Sequence, residues 1–144
     1  MPQPAWIVIA NGSRARLLQR DAPGEPLFEV MDWVHPETRH HAGPSDSRHR
    51  HSGTGGRAGL SPRMGDKDRA RATFAQQICQ WLVKEVDARQ IGSLSLFASN
   101  PFLGELTAHG QGQLQRLIRH THPVDLTHLS LTALNHRLQN ENFH

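Results

Sequence analysis

One cysteine, two lysines and no tyrosine stand in this 144-residue chain. The single Cys79 cannot close an internal disulfide, which excludes a disulfide-stapled secreted scaffold. No apolar run approaches the roughly 20 residues of a membrane helix. The longest, residues 5–10, is strand-sized. The opening Met-Pro-Gln-Pro has neither the positive start nor the long apolar stretch of a signal peptide, so the expected compartment is the cytosol and no membrane partner is expected. P-loop, GxGxxG, GxSxG and HExxH motifs are all missing. A chain of this length is expected to form one domain over residues 1–144. It can bury roughly two-thirds of its unfolded surface without a disulfide or a metal.

What is abundant is arginine. Sixteen Lys and Arg oppose thirteen Asp and Glu, and only Lys67 and Lys84 are lysines. Arginine suits bidentate phosphate and carboxylate contacts and stacks on bases. Eleven histidines add a charge that rises steeply below about pH 6.5. Together these favour a polyanionic partner, nucleic acid first, although a GC-rich genome also enriches arginine.

Residues 6–10 (WIVIA) read as a buried strand closed by Asn11-Gly12, a type I′ hairpin signal in which both central residues take positive φ. The return strand, residues 14–20, puts Ala15 and Leu17 on one face and Arg14 and Arg16 on the other. A third strand follows over residues 27–34. Over residues 35–65 the apolar pattern vanishes into six glycines, three prolines and five histidines. Such a stretch cannot offset its ordering entropy and is expected to be a mobile loop. Residues 66–90 have helical spacing through Phe74, Ile78, Leu82 and Val86. A covered strand is expected at 93–99, then a helix capped by Asn100 and broken near Gly110 and Gly112. An edge strand at 120–124 and a last helix capped by Ser130 complete the order β-β-β-long loop-α-β-α-(β)-α. Three strands joined by short turns and a fourth reached through a helical crossover imply an α/β domain with a mixed sheet and helices on its faces.

The loop concentrates the chemistry. Arg39, Arg48, Arg50, Arg57, Arg63 and Lys67 face only Glu37, Asp46 and Asp66, and Gly53-Thr54-Gly55-Gly56-Arg57 lies among them. Glycines let the backbone approach a phosphate or ribose, and the arginines supply salt-sensitive attraction. The candidate nucleic-acid-binding residues are therefore Arg48, Arg50, Arg57, Arg63 and Lys67; a solvated linker without a partner is the plainer reading. His40-His41 and His49-x-His51 invite a metal, but a loop without cysteine is a poor zinc frame, and no metal or cofactor is expected. Cys79 lies on the apolar helix face and reads as an inert small hydrophobe. Ser99 and Asn100, just past a strand end and before a helix, form a candidate anion site, with ordinary capping as the alternative. Asp125-Leu-Thr-His128 groups an acid, a hydroxyl and an imidazole without a partner nucleophile.

Three stretches carry a family resemblance. The opening residues 6–17 (WIVIANGSRARL), residues 97–106 (FASNPFLGEL) and residues 125–129 (DLTHL) resemble, in that order, the start, the strand-to-helix junction and the closing motif of the bacterial host attachment protein family (protein required for attachment to host cells). That family is similar to the middle domain of eukaryotic and archaeal translation termination factors. The resemblance implies an RNase H-like fold in which a Gly-Gly-Gln loop promotes peptidyl-tRNA hydrolysis. In this chain Gly55, Gly56 and Arg57 occupy the corresponding place, and Arg57 offers a charged fork where glutamine would order water. The implied role is translation-associated binding of ribosome or tRNA, with hydrolysis left open. An interaction module bearing indirectly on attachment, and a metal-responsive protein using the histidines, are the other readings. Exposed sheet edges allow a homodimer.

Overall fold

The computed structural model describes residues 3–35 and 55–144, with side chains in the second stretch described from Gly65 onward. Strands β1 (Ala5–Ala10), β2 (Arg14–Arg20) and β3 (Phe28–Val34) precede helix α1 (Gly55–Ala88). Then follow β4 (Ser93–Ala98), α2 (Phe102–His109), α3 (Gln113–Leu117), β5 (Ile118–His122) and α4 (Leu131–Leu138). The five strands form one mixed sheet in the order β3-β2-β1-β4-β5. β2 runs antiparallel to both β1 and β3, whereas β1, β4 and β5 are parallel. This is the mixed α/β sheet with flanking helices that the sequence implies.

β1 is central and buried along its whole length, as its unbroken apolar run requires. Its alternate residues serve two cores. Trp6, Val8 and Ala10 meet Phe74, Ile78, Leu82 and Val86 of α1 together with Phe102 and Leu106 of α2. Ala5, Ile7 and Ile9 meet Leu126, Leu134, Leu138 and Phe143 of the C-terminal segment. The four-residue spacing on α1 is thus a core stripe. Trp81 from the same helix stacks on Trp6 at 5.6 Å and meets Trp33 edge-on at 5.2 Å.

β2 has the face alternation expected, but its second face is not solvated. Arg16 and Arg20 are 4% and 1% exposed. Arg16 Nε donates to Glu29 Oε2 at 2.9 Å, and its Nη1 donates to the carbonyls of Thr127 and Leu129. Arg20 has carbonyl partners only: Glu25 at 2.7 Å, Glu141 at 2.9 Å and Leu138 at 3.2 Å. Its guanidinium lies 5.2 Å from the Phe143 ring centre. Burial without a carboxylate lowers its pKa. These two side chains bind the C-terminal segment to the sheet.

Several boundaries differ from expectation. α1 begins at Gly55, not Asp66. Residues 55–65 lack an apolar stripe, so periodicity gives no signal there. Extending an existing helix nevertheless adds one hydrogen bond per residue without a new nucleus. The expected mobile loop at 35–65 therefore loses its C-terminal third to helix, and residues 36–54 lie outside the described residues. The hairpin after β1 forms, but neither Asn11 nor Gly12 takes positive φ. Asn11 sits one place earlier in the turn, where its Oδ1 accepts from Ser13 N at 2.8 Å and Arg14 N at 2.9 Å. A Cβ on Gly12 would lie 3.3 Å from Arg71 Cδ, so close approach to α1 favours glycine there. α2 has no side-chain cap: Pro101, not Asn100, holds the cap position. β5 covers residues 118–122, ahead of Pro123, instead of 120–124. Ser130 caps α4 as expected, accepting from Ala133 N at 3.0 Å. Among the described residues no helix is long and apolar enough to cross a membrane.

Candidate functional site

The carboxyl ends of adjacent parallel strands are the usual place for a site on an open α/β sheet. β1 and β4 pair in register up to Ala10 and Ala98, so Asn11 and Ser99 leave the sheet side by side. Four distant segments meet at this end. The 11–13 turn arrives from β1, the Ser99-Asn100-Pro101 junction from β4, residues 125–129 from the C-terminal segment, and Arg71 from α1.

Asn11 is the hub. Its Nδ2 donates to Asp125 Oδ2 at 2.9 Å and to Thr127 Oγ1 at 3.1 Å. Thr127 donates to Asp125 Oδ1 twice, from its backbone N at 2.9 Å and from Oγ1 at 2.6 Å. Burial opposes the charged form of Asp125, but hydrogen bonds from Asn11 and Thr127, with a smaller attraction to His128, outweigh it and hold the carboxyl below its ordinary range. A carboxylate with depressed basicity and both oxygens occupied is a poor proton acceptor. Among the described residues no imidazole bonds to Thr127, and the 125–128 cluster clasps the C-terminal segment to the 11–13 turn. Beside it, Arg71 Nε donates to Glu105 Oε1 and its Nη2 to Asp68 Oδ1, each at 2.9 Å, tying α1 to α2. Arg14 pairs with Asp32 at 2.7 Å.

His35 closes the exit from β3. Its backbone N donates to Ser13 O at 2.9 Å, its Nε2 lies 2.8 Å from Ala70 O, and its ring lies 4.9 Å from that of Phe74. His35 thus ties the end of β3 both to the 11–13 turn and to α1 at Ala70.

The sequence-derived site residues divide accordingly. Arg48 and Arg50 lie outside the described residues. Gly55, Gly56 and Arg57 open α1, where a loop was expected, and Arg63 lies in its early turns; nothing is described of the side chains there. Lys67 is on an exposed face of α1. Ser99 carries the carbonyl that accepts from Leu103 N at 3.0 Å, and Asn100 is exposed beside it. The Ser99 and Asn100 side chains thus do not form the expected cap. Cys79 is buried, its Sγ lies 3.4 Å from Leu106 O, and burial pushes the thiol up to about 11. Among the described residues no group of three or more His, Cys, Asp or Glu could hold a metal ion.

Sequence reasoning missed the Asn11–Asp125 bond, which spans 114 positions, and the internal use of the arginines. Arg14, Arg16, Arg20, Arg69, Arg71 and Arg89 all have carboxylate or carbonyl partners within the chain. One signal was available for the first: both partners lie in the short stretches that carry the family resemblance.

Charge partition decides what remains for a partner. Outside residues 36–65 there are eleven Lys and Arg against eleven Asp and Glu, an even balance. Residues 36–65 hold five arginines against Glu37 and Asp46, which accounts for the whole formal surplus of +3.

A family model described as "protein required for attachment to host cells" matches residues 6–138. The chain belongs to that family. The match runs from Trp6 in β1 to Leu138 at the end of α4, so the clasp and every core residue except Ala5 and Phe143 fall inside the family's span. No curated protein matches the chain.

Proposed function

We propose that this host attachment family member is a non-enzymatic RNA-binding domain, in which a neutral folded body carries a cationic segment to ribosome or tRNA. The partition of charge carries the reading, since the body is balanced in net charge and residues 36–65 hold the whole formal surplus that a polyanion would attract. Arg39, Arg48, Arg50, Arg57, Arg63 and Lys67 supply the phosphate contacts. A mixed sheet with β1 flanked by an antiparallel β2 and a parallel β4 is compatible with the RNase H-like fold that the resemblance implies. Hydrolysis of peptidyl-tRNA is not part of the proposal, because Arg57 stands where that likeness needs glutamine. A ribosome or tRNA partner implies action in the cytosol.

Fluorescence anisotropy with single-stranded RNA over a salt series tests it. If all six cations make phosphate contacts, the slope of log K against log salt is about −4 on the single-strand scale of roughly −0.7 per contact. Replacing Arg39, Arg48, Arg50, Arg57 and Arg63 by serine should flatten that slope to about −1. RNA affinity unchanged by the quintuple replacement would refute the proposal. The family's description favours a second reading, an interaction module in attachment. A surface-exposed pool on fractionation, with no RNA association at low salt, would establish it instead.

A further inference from the structure

The sheet has two edges of different character. β3 carries Glu29 and Asp32, each matched to an arginine of β2. β5 (IRHTH) is the opposite edge, paired only with β4, and the described residues place no strand beyond it. An edge strand offers a row of main-chain N–H and C=O groups to another extended chain.

Three observations define what would fit this edge. First, residues 107–124 contain two arginines and three histidines and no Asp or Glu. Arg116 and Arg119 are exposed, and neither has a carboxylate partner among the described residues. Second, Arg119 is the extra residue of a bulge: Ile118 pairs with Leu94 and His120 with Ser95, leaving Arg119 unmatched at the edge. Third, a groove of about 600 Å³ runs beside the start of β5, lined by Gly104, Thr107, Ala108, Gln111, Gln115 and Ile118. Its amides and hydroxyl are neutral donors and acceptors, and only Ala108 and Ile118 give it apolar floor.

We propose that the β5 edge binds an extended acidic peptide segment of a partner protein, which adds a sixth strand to the sheet. Main-chain pairing with residues 118–122 fixes direction and register. Side chains on one face of the added strand enter the Gln111–Gln115 groove, and its carboxylates meet Arg116 and Arg119. Nucleic acid fits less well here: its backbone has no alternating N–H and C=O groups, and the nearby rings are engaged, Phe97 with His122 at 4.6 Å and Phe143 buried. Pro123 ends the pairing surface after five residues, so the recognised segment is short.

The experiment titrates the full chain with an acetylated alternating Val-Glu octapeptide, read by backbone amide shifts and fluorescence anisotropy. Shifts should concentrate on residues 118–122 with Gln111 and Gln115. The double variant Arg116→Glu, Arg119→Glu should weaken binding at least tenfold while leaving the amide spectrum folded. N-methylating alternate peptide amides should abolish binding, as strand pairing demands. Equal binding of an alternating Val-Lys peptide, or shifts centred on β3 or on α1 near Lys67, would overturn the proposal. So would movement of the same amides by poly(U) RNA but not by the peptide. Self-association through β5 that is lost in the double variant, with no peptide binding, would replace the partner by a second copy.

Discussion

Breaking the bond between Asn11 and Asp125 should cost far more than a surface contact, because it joins the first hairpin to the C-terminal segment across 114 residues. Asn11→Ala removes four hydrogen bonds: the charge-assisted donation to Asp125, the donation to Thr127, and two acceptances that shape the turn. A charge-assisted bond contributes about 1.5–3 kcal/mol, and ordinary part-buried ones about 0.5–1.5 kcal/mol each. With the turn amides finding water after the change, the expected loss is about 3 kcal/mol. Asp125→Ala removes one shared bond and two local ones from Thr127, for a loss of about 2–3 kcal/mol. The double variant should lose about 1–2 kcal/mol less than the sum, that difference being the coupling. Urea unfolding followed by fluorescence reads this well, since Trp6, Trp33 and Trp81 form one contacting cluster in the α1-side core. The sign with pH is also fixed. The Asp125 carboxyl titrates lower folded than unfolded, so its stabilisation is complete above the unfolded value near 3.9 and fades as pH falls through the folded one. Asp125→Asn should therefore flatten the acid limb of the stability curve. Additive losses, within about 0.3 kcal/mol, would show that the clasp is not a coupled unit.

Two further outcomes test the body. Gln90 holds the left-handed position that ends α1 (φ 55°), with Gln90 N donating to Asp87 O and Ile91 N to Val86 O. Gln90→Gly should stabilise the protein by about 0.5–1 kcal/mol, raising the urea midpoint without changing its slope; a loss of stability would contradict the assignment of strain. The Cys79 thiol, pushed up to about 11 and buried against α2, should react with a disulfide reagent at pH 8 only at the rate of opening. Modification as fast as that of a free thiol would mean that the α1–α2 interface is open in solution.

The fold was legible where one physical signal dominated. The unbroken apolar run of β1 and the four-residue stripe on α1 each have a single explanation, and both elements stand where periodicity puts them. The start of α1 was not legible, because the sequence of residues 55–65 carries no apolar period. The turn after β1 shows a different failure. Asn-Gly suits the central pair of a hairpin turn, but Asn11 equally suits the first position, where its side chain holds two backbone amides. The nearby Asp125 and Thr127 tip that choice, and they lie too far along the chain for a local signal to include them.

Arginine was the misleading abundance. Composition counts a guanidinium the same whether it faces a phosphate or a buried carbonyl. The strand period held the correction: Arg16 and Arg20 share a β2 face with Leu18, and a central strand covered on both sides has no face for solvent. Once those side chains are assigned to the C-terminal segment, the case for a polyanion no longer rests on fourteen arginines. It rests on where the formal surplus lies, in residues 36–65. Residues 36–65 begin beside His35, which is held by Ser13 and Ala70, and His35 stands next to the Asn11 clasp. The clasp thus adjoins the turn that holds His35, the last described residue before that segment. A stability defect at Asn11 should then weaken RNA binding only by the fraction of protein unfolded, whereas loss of the segment's arginines should weaken it in a fully folded protein.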